Sequence, residues 1–181
     1  MKYYVDSKSL NGGDGSKEHP FGKIQEAANL AIPGDEIIVA PGIYRENVNP
    51  INSGTIDNRI TYRSENKKAA IISGAEEVKN WELHEGKVWK AKIPNALFGE
   101  SNPFTTLVYG DWYVATIIAH TGDVFLNHKS MYEVTEMDQV FNPPKNVRSW
   151  DSEFTRYTWF TAQDNEKNET ILYANFQEKN P

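Results

Sequence analysis

The arrangement of short β-prone segments in the first 75 residues constrains the fold of this chain more than any other feature. These segments lie at residues 2–5, 37–39, 59–63 and 69–74, and Gly, Pro, Asn and Asp residues separate them. Ile37 precedes Ile60 by 23 residues, and more than one short strand fits into that interval. Successive coils of a parallel β-solenoid have such a spacing, because each coil adds one short strand to each face. Residues 1–75 are therefore predicted to form the first coils of a solenoid.

One stretch near the start has a helical period instead. Apolar residues recur there at three- and four-residue steps, while polar residues occupy the opposite side: Phe21, Ile24, Ala27, Ala28 and Ala31 on one face, Lys23, Gln25, Glu26 and Asn29 on the other. This spacing predicts a short amphipathic helix that Pro20 opens and Pro33-Gly34 ends.

Residues 76–181 have a different pattern, in which β-prone runs flank short turns. Turns are predicted at Glu85-Gly86, Gly110-Asp111, Asn127-His128-Lys129 and 164–168. Paired runs of this kind are typical of antiparallel hairpins. A Pro-rich polar stretch at 137–154 is predicted to be a long loop. The sequence thus predicts an all-β chain, with coils in 1–75 and an antiparallel β-sandwich region in 76–181.

The charge distribution narrows the possible partners. The formal net charge is −6, and residues 76–181 carry all of it, with ten basic and sixteen acidic residues. An acidic surface repels phosphate backbones, which argues against nucleic acid as a partner. It also argues against polyanionic glycans such as pectate or alginate, unless a metal bridges the like charges. No cysteine is present, and we expect no membrane span and no export signal, so the default expectation is a cytoplasmic protein.

The motifs of the chain resemble two groups of proteins. Tyr4-Val5-Asp6, Asp14-Gly15, Pro20-Phe21, Gly34-Asp35-Glu36-Ile37 and Tyr44 match the opening pattern of right-handed parallel β-helix proteins of the pectate-lyase-like class. KVWKAKIPNALFGESNPF at 87–104, VYGDWYV at 108–114, GDVFLNHKSMYEV at 122–134 and ILYANFQ at 171–177 resemble the start of the β-xylosidases of glycoside hydrolase family 120. In that family a β-sandwich region is inserted early into the β-helix.

The family resemblance implies retaining hydrolysis of short xylo-oligosaccharides. In that reaction an aspartate attacks the anomeric carbon and a glutamate serves as acid and then as base. Both carboxylates of the family lie on later coils, and no position of this chain matches them. The resemblance therefore implies no catalytic residue, metal or cofactor in this chain. It implies a neutral oligosaccharide substrate, with the remainder of a longer parent chain or a second copy covering the open end of the solenoid.

Two residues are predicted to bind substrate. The resemblance implies that Trp112 of Gly110-Asp111-Trp112 lines the sugar pocket, where an indole face can stack on a pyranose; the alternative is a packing role. Asp111 can accept hydrogen bonds from a sugar hydroxyl, or it can be an ordinary turn residue.

The other candidate residues are predicted to have structural roles. Trp81 and Trp89 are placed symmetrically about Glu85-Gly86 as a cross-strand pair would be, and Trp150 and Trp159 are predicted to be core or interface residues. Asp35 and Glu46 are predicted to be structural acids. The four histidines, His19, His84, His120 and His128, are predicted to be surface or turn residues rather than metal ligands.

Two other functions remain possible on the sequence. A non-catalytic carbohydrate-binding or assembly module would account for the missing carboxylate pair and the many aromatic residues. A polysaccharide lyase would require a basic or calcium-bearing groove, which the charge distribution disfavours.

Overall fold

The computed structural model describes residues 1–9, 12–110 and 119–181. These residues form two compact units, Met1–Glu77 and Val78–Pro181. Each unit is described by itself.

The first unit contains five short parallel strands. They are β1 (Lys2–Val5), β2 (Glu36–Val39), β3 (Gly42–Arg45), β4 (Thr61–Ser64) and β5 (Ala70–Ser73). One sheet has the order β1-β2-β4, and β3 and β5 form a second parallel pair. Strands adjacent in space belong to successive coils, which is the arrangement of a parallel β-helix. The predicted right-handed β-helix is confirmed.

The register of these strands stacks apolar side chains inside the coils. Tyr3 lies opposite Ile37 and Ile37 opposite Tyr62, while Val5 lies opposite Val39. Ile37, Val5 and Val39 are buried together with residues of the helix. Alternate residues of each strand point to opposite faces, so this column forms the interior of the solenoid.

The helix of the first unit, α1, spans Ile24–Leu30. The predicted start at Pro20 is wrong, because Phe21 is extended and forms a parallel bridge with Val5. The Asp6 amide donates to the Phe21 carbonyl at 2.9 Å, which fixes this extended backbone. The predicted end before Pro33-Gly34 is confirmed. Ile24, Ala27 and their apolar neighbours on one face of α1 are buried in the core of the coils, as the helical period predicts.

The second unit is built around a five-stranded sheet. Its elements are β6 (Glu82–Glu85), β7 (Val88–Pro94), a 3₁₀ turn (Asn95–Phe98), β8 (Phe125–Leu126), β9 (Lys129–Ser130), β10 (Tyr132–Glu133), α2 (Asp138–Phe141), a second 3₁₀ turn (Phe154–Arg156), β11 (Thr158–Asp164) and β12 (Glu169–Asn175). The sheet has the order β10-β11-β12-β7-β6. All neighbours in it are antiparallel except β10 and β11, which are parallel.

A second layer covers one face of this sheet. The hairpin β8–β9 turns at Asn127 and His128, whose φ angles of 51° and 65° suit a two-residue type I′ turn. The core between the layers contains Trp159, Leu172 and Ala174 from the sheet, and Phe104, Val124, Leu126, Met131 and Phe154 from the covering segments. This two-layer arrangement accounts for the predicted sandwich region.

Three details of the second unit differ from the sequence predictions. The register places Leu83, not Trp81, opposite Trp89; Trp81 instead contacts Phe176 edge-on at 4.9 Å between ring centroids. A β-bulge between Leu83 and Glu85 changes the pairing, and no sequence signal marks it. The predicted long loop at 137–154 contains the short helix α2. Trp150 is 92% exposed, which excludes the predicted core role and leaves the predicted alternative of an interface residue.

Candidate functional site

The two residues predicted to bind substrate, Asp111 and Trp112, lie outside the described residues. The described residues on both sides of 111–118 are paired with each other. The Val108 amide donates to the Ala119 carbonyl at 2.8 Å, and the Thr121 amide donates to the Thr106 carbonyl at 2.8 Å. Residues 106–108 and 119–121, which we term the base ladder, thus bring the two ends of this segment together.

A histidine and a glutamate tie the base ladder to the five-stranded sheet. The carboxylate of Glu133 on β10 accepts from the His120 backbone amide at 2.9 Å and contacts the His120 ring at Nδ1. Both side chains are largely buried. Since β10 pairs with β11, this contact links the returning half of the ladder to the sheet.

A cluster of uncharged polar side chains fixes the chain just before the ladder. The Asn102 side-chain amide donates to the Thr170 hydroxyl at 2.8 Å, and the Thr170 hydroxyl donates to the Asn95 carboxamide oxygen at 2.7 Å. The Gln163 amide also donates to Thr170, at 3.0 Å. Asn102 also accepts hydrogen bonds at its backbone carbonyl from the amide and the hydroxyl of Thr106. We term Asn95, Asn102, Gln163, Asn168 and Thr170 the carboxamide cluster; it holds the chain that leads into the ladder against β11 and β12.

The two candidate acids of the first unit, Asp35 and Glu46, have structural partners, as the sequence predicts. Asp35 is buried and accepts from the amino group of Met1 at 2.5 Å and from the Ile32 amide at 3.0 Å. These hydrogen bonds, that of the ammonium first, hold the pKa of Asp35 below its ordinary value. Glu46 accepts from the first two amides of α1, those of Ile24 and Gln25, at 2.8 and 2.9 Å. It satisfies donors that have no partner inside the helix.

Six described carboxyl groups have a pKa below its ordinary value. In each of them the largest cause is a hydrogen-bonding or cationic partner. The groups are Asp14, Asp35, Glu36, Asp151, Glu153 and Glu178. The acid of a retaining glycosidase needs the opposite, a raised pKa, and a second carboxylate about 5 Å away. These six groups therefore do not have the electrostatics of a general acid.

The histidines lie in separate places. His128 occupies a hairpin turn, and His84 is exposed and contacts Tyr173 edge-on. His120 is the exception to the prediction, because it is largely buried against Glu133. Among residues 1–9, 12–110 and 119–181, no group of three or more His, Cys, Asp or Glu side chains has a geometry suited to a metal ion.

The comparison with protein families decides the identity of the second unit. A family model described as the glycoside hydrolase 120 insertion domain matches residues 78–181, more than half of the chain. The chain belongs to glycoside hydrolase family 120. The match begins at the first residue of the second compact unit, so the insertion domain of family 120 corresponds to the five-stranded sheet and its covering layer.

Two individual proteins are also similar to this family 120 chain, and one of them matches the first unit as well as the second. The solved structure of XylC in complex with xylose matches the whole chain with a TM-score of 0.92 and 38% sequence identity. The match covers 30% of the XylC chain. The uncharacterized protein YwoF of Bacillus subtilis (strain 168) is 33% identical over 71 residues, which are 39% of this chain and 15% of YwoF. The family 120 chain thus spans less than a third of either relative.

The sequence reasoning missed the residues that shape the surroundings of the candidate site. Glu133 and the carboxamide cluster are polar residues scattered between positions 95 and 170, and no local motif joins them. The pairing of β7, β11 and β12 brings the residues of the carboxamide cluster together, and the pairing of β10 with β11 positions Glu133. The described part of this family 120 chain contains no helix long and apolar enough to cross a membrane.

Proposed function

We propose that this chain is the N-terminal portion of a retaining β-xylosidase that hydrolyses short, neutral xylo-oligosaccharides. In this proposal the first unit is the start of the catalytic β-helix, and the second unit is its insertion domain. The chain contributes the scaffold and one wall of the substrate pocket. The catalytic aspartate and glutamate belong to later coils of the parent protein.

The proposal rests mainly on the match to XylC over the whole chain. An identity of 38% at a TM-score of 0.92 means that the coils, the insertion and the order of the two are alike in both proteins. The XylC structure was solved with xylose. Membership of glycoside hydrolase family 120 independently supports glycoside hydrolysis.

The last coil of the first unit, which contains β4 and β5, has exposed apolar residues. This exposure supports the presence of further β-helix coils in a longer parent protein. Ile72 pairs in register with Tyr44, which is buried, yet Ile72 itself is 57% exposed. Tyr62 lies over the buried Ile37 in the same way and is also exposed. Interior positions of a solenoid are covered by the next coil. We infer that further coils of the parent chain cover them, with a second copy of the chain as the alternative.

Within this proposal Trp112 stacks on the sugar and Asp111 accepts a hydrogen bond from one of its hydroxyls. The described residues on either side of 111–118 are held in defined positions. The base ladder pairs residues 106–108 with 119–121, and the His120–Glu133 contact ties the ladder to the sheet.

Hydrolysis of p-nitrophenyl β-D-xyloside tests the proposal. The parent protein should be active and the 181-residue chain inactive. In the parent, Trp112→Ala should raise KM about tenfold or more, because the stacking surface is lost. Leu97→Ala, which truncates an exposed apolar side chain of the same unit outside 111–118, is the control and should leave KM unchanged. An inactive parent, or equal KM values for the two variants, would contradict the proposal.

Titration of the isolated chain with xylobiose separates this proposal from a stand-alone binding module. A module should bind xylobiose through Trp112 with a Kd below about 0.1 mM, which corresponds to roughly −5.5 kcal/mol. A chain that supplies only part of a pocket should not bind xylobiose with this affinity, because the remaining contacts to the sugar are missing.

A further inference from the structure

Trp150 differs from every other described tryptophan in its exposure. Its side chain is 92% exposed, whereas Trp159 is 1% exposed and Trp81 and Trp89 are partly buried against the core. A solvent-exposed indole does not gain the free energy of burial, which for tryptophan is among the largest of all side chains. Tryptophan is enriched at binding interfaces, where one side of its ring is apolar and its N–H remains wet.

The loop that presents Trp150 is held by contacts at its base. The Asn146 amide donates to the Thr155 hydroxyl at 2.9 Å, and Lys145 pairs with Glu153. The Thr155 hydroxyl in turn donates to the Ser152 carbonyl at 2.6 Å. These contacts order the backbone on both sides of Trp150 without burying its ring. The exposed indole is therefore largely preorganised for a ligand.

A hydrogen-bond donor and an acceptor lie beside the indole ring. The Lys129 ammonium is 5.4 Å from the centroid of the Trp150 ring and 3.8 Å from that of Phe154, and it pairs with the carboxylate of Asp151. The ammonium has further protons to donate, and the carboxylate has a second oxygen. The Lys129 ammonium also holds the pKa of Asp151 below its ordinary value, so the carboxylate stays an acceptor at neutral pH.

An aromatic ring with a hydrogen-bond donor and an acceptor close to it is the chemistry that recognises a pyranose. The apolar face of the sugar covers the ring face opposite the Lys129 ammonium, and its equatorial hydroxyls reach the polar groups. The charges of Lys129 and Asp151 cancel, and the net −6 of residues 76–181 disfavours anionic ligands. A neutral sugar chain fits this combination better than a charged one.

We propose that Trp150, Lys129 and Asp151 form a binding surface for neutral β-linked sugar chains. The choice of xylo-oligosaccharides among such chains rests on the proposed function. Because the surface is open and contains a single aromatic ring, we expect weak binding, with a Kd of about 1–10 mM.

Indole N–H signals in two-dimensional NMR of the ¹⁵N-labelled 181-residue protein test this inference. The probe is xylohexaose, added up to about 20 mM. The Trp150 signal, assigned with a Trp150→Phe variant, should shift and saturate with a Kd in the expected range. Trp150→Ala should weaken the binding measured by titration calorimetry at least tenfold, and Lys129→Met and Asp151→Asn about threefold each.

Val147→Ala is the matched control, because Val147 is an exposed apolar residue of the same loop, at 78%, without an aromatic face. Val147→Ala should leave the Kd unchanged. In every variant the Trp159 signal should keep its chemical shift, because an unchanged Trp159 signal reports an intact core. A Trp150 signal that does not move, or equal losses for Trp150→Ala and Val147→Ala, would overturn the inference. So would self-association of the protein that Trp150→Ala abolishes, since a second copy would then occupy the surface.

The two proposals fail in different ways. A parent without xylosidase activity whose Trp150 signal still responds to xylohexaose contradicts the proposed function alone. An active parent whose Trp150 signal does not respond contradicts the binding surface alone.

Discussion

The hydroxyl of Thr170 is the centre of the carboxamide cluster, and its removal is the sharpest test of how the second unit is held together. Thr170 is fully buried. Its hydroxyl donates to Asn95 at 2.7 Å and accepts from Asn102 at 2.8 Å and from Gln163 at 3.0 Å. Thr170→Val keeps the shape of the side chain and removes all three hydrogen bonds.

The expected loss of stability follows from these three contacts. A hydrogen bond contributes about 1 kcal/mol net, and a buried donor left unpaired costs about 1–3 kcal/mol. Asn102 keeps its second hydrogen bond, to Asn95, and the added methyl group gains some burial, so the losses do not add in full. We expect Thr170→Val to lower the free energy of unfolding by about 2 kcal/mol, which corresponds to a fall in Tm of roughly 10 °C for a unit of this size.

Intrinsic tryptophan fluorescence in urea is the appropriate assay. All five tryptophans of the chain, at positions 81, 89, 112, 150 and 159, belong to the second unit, so their signal reports that unit alone. The midpoint should fall while the slope m stays constant, because the surface exposed on unfolding does not change.

Thr161→Val on β11 is the matched control. Thr161 is also buried, at 8% exposure, but its hydroxyl has no hydrogen-bond partner among the described residues. Removing an unpaired buried hydroxyl should leave stability unchanged or raise it by up to about 1 kcal/mol. If the two variants differ by less than about 0.5 kcal/mol, the carboxamide cluster does not stabilise the unit and the reasoning is wrong.

Two further predictions concern the first unit. Glu46→Ala removes the acceptor for the first two amides of α1 and should cost about 1–2 kcal/mol, measured by urea unfolding of far-ultraviolet circular dichroism; an unchanged midpoint would show that water replaces the cap. The pKa of Asp35 is lowered by the Met1 amino group and the Ile32 amide, so its contribution is present above the unfolded pKa near 3.8 and is lost as the pH falls through the folded pKa. Stability between pH 5 and pH 2 should therefore fall less in Asp35→Asn than in the unchanged protein, and parallel pH profiles would contradict this.

The elements of the fold follow largely from local sequence. Alternation in short runs such as Ile37 and Val39 marked the strands, and the period from Ile24 to Ala31 marked the helix, because both patterns arise from the geometry of a single element. The start of the helix was misplaced because Pro20 permits a helical start without requiring one. Phe21 gains more from the bridge to Val5, a residue distant in sequence.

The candidate site, in contrast, depends mainly on contacts between residues that are distant in sequence. Trp112 and Asp111 came from a contiguous motif and remain predictions. Glu133 was not identified at all, because its partner His120 is 13 residues away and the contact depends on how β10 joins the sheet. The exposure of Trp150 was also missed, since a tryptophan in a polar loop has the same sequence signature whether its ring is packed or free.

The sequence by itself determined most of the strands, the position of the helix α1 apart from its start, and the family resemblance, since each depends on residues close together in the chain. The tertiary structure alone decided which polar groups meet. It placed Asn95 and Asn102 against Thr170, closed the base ladder, and left Trp150 exposed beside Lys129 and Asp151. These contacts join residues up to 75 positions apart, and their energies depend on burial and distance, which no local pattern contains.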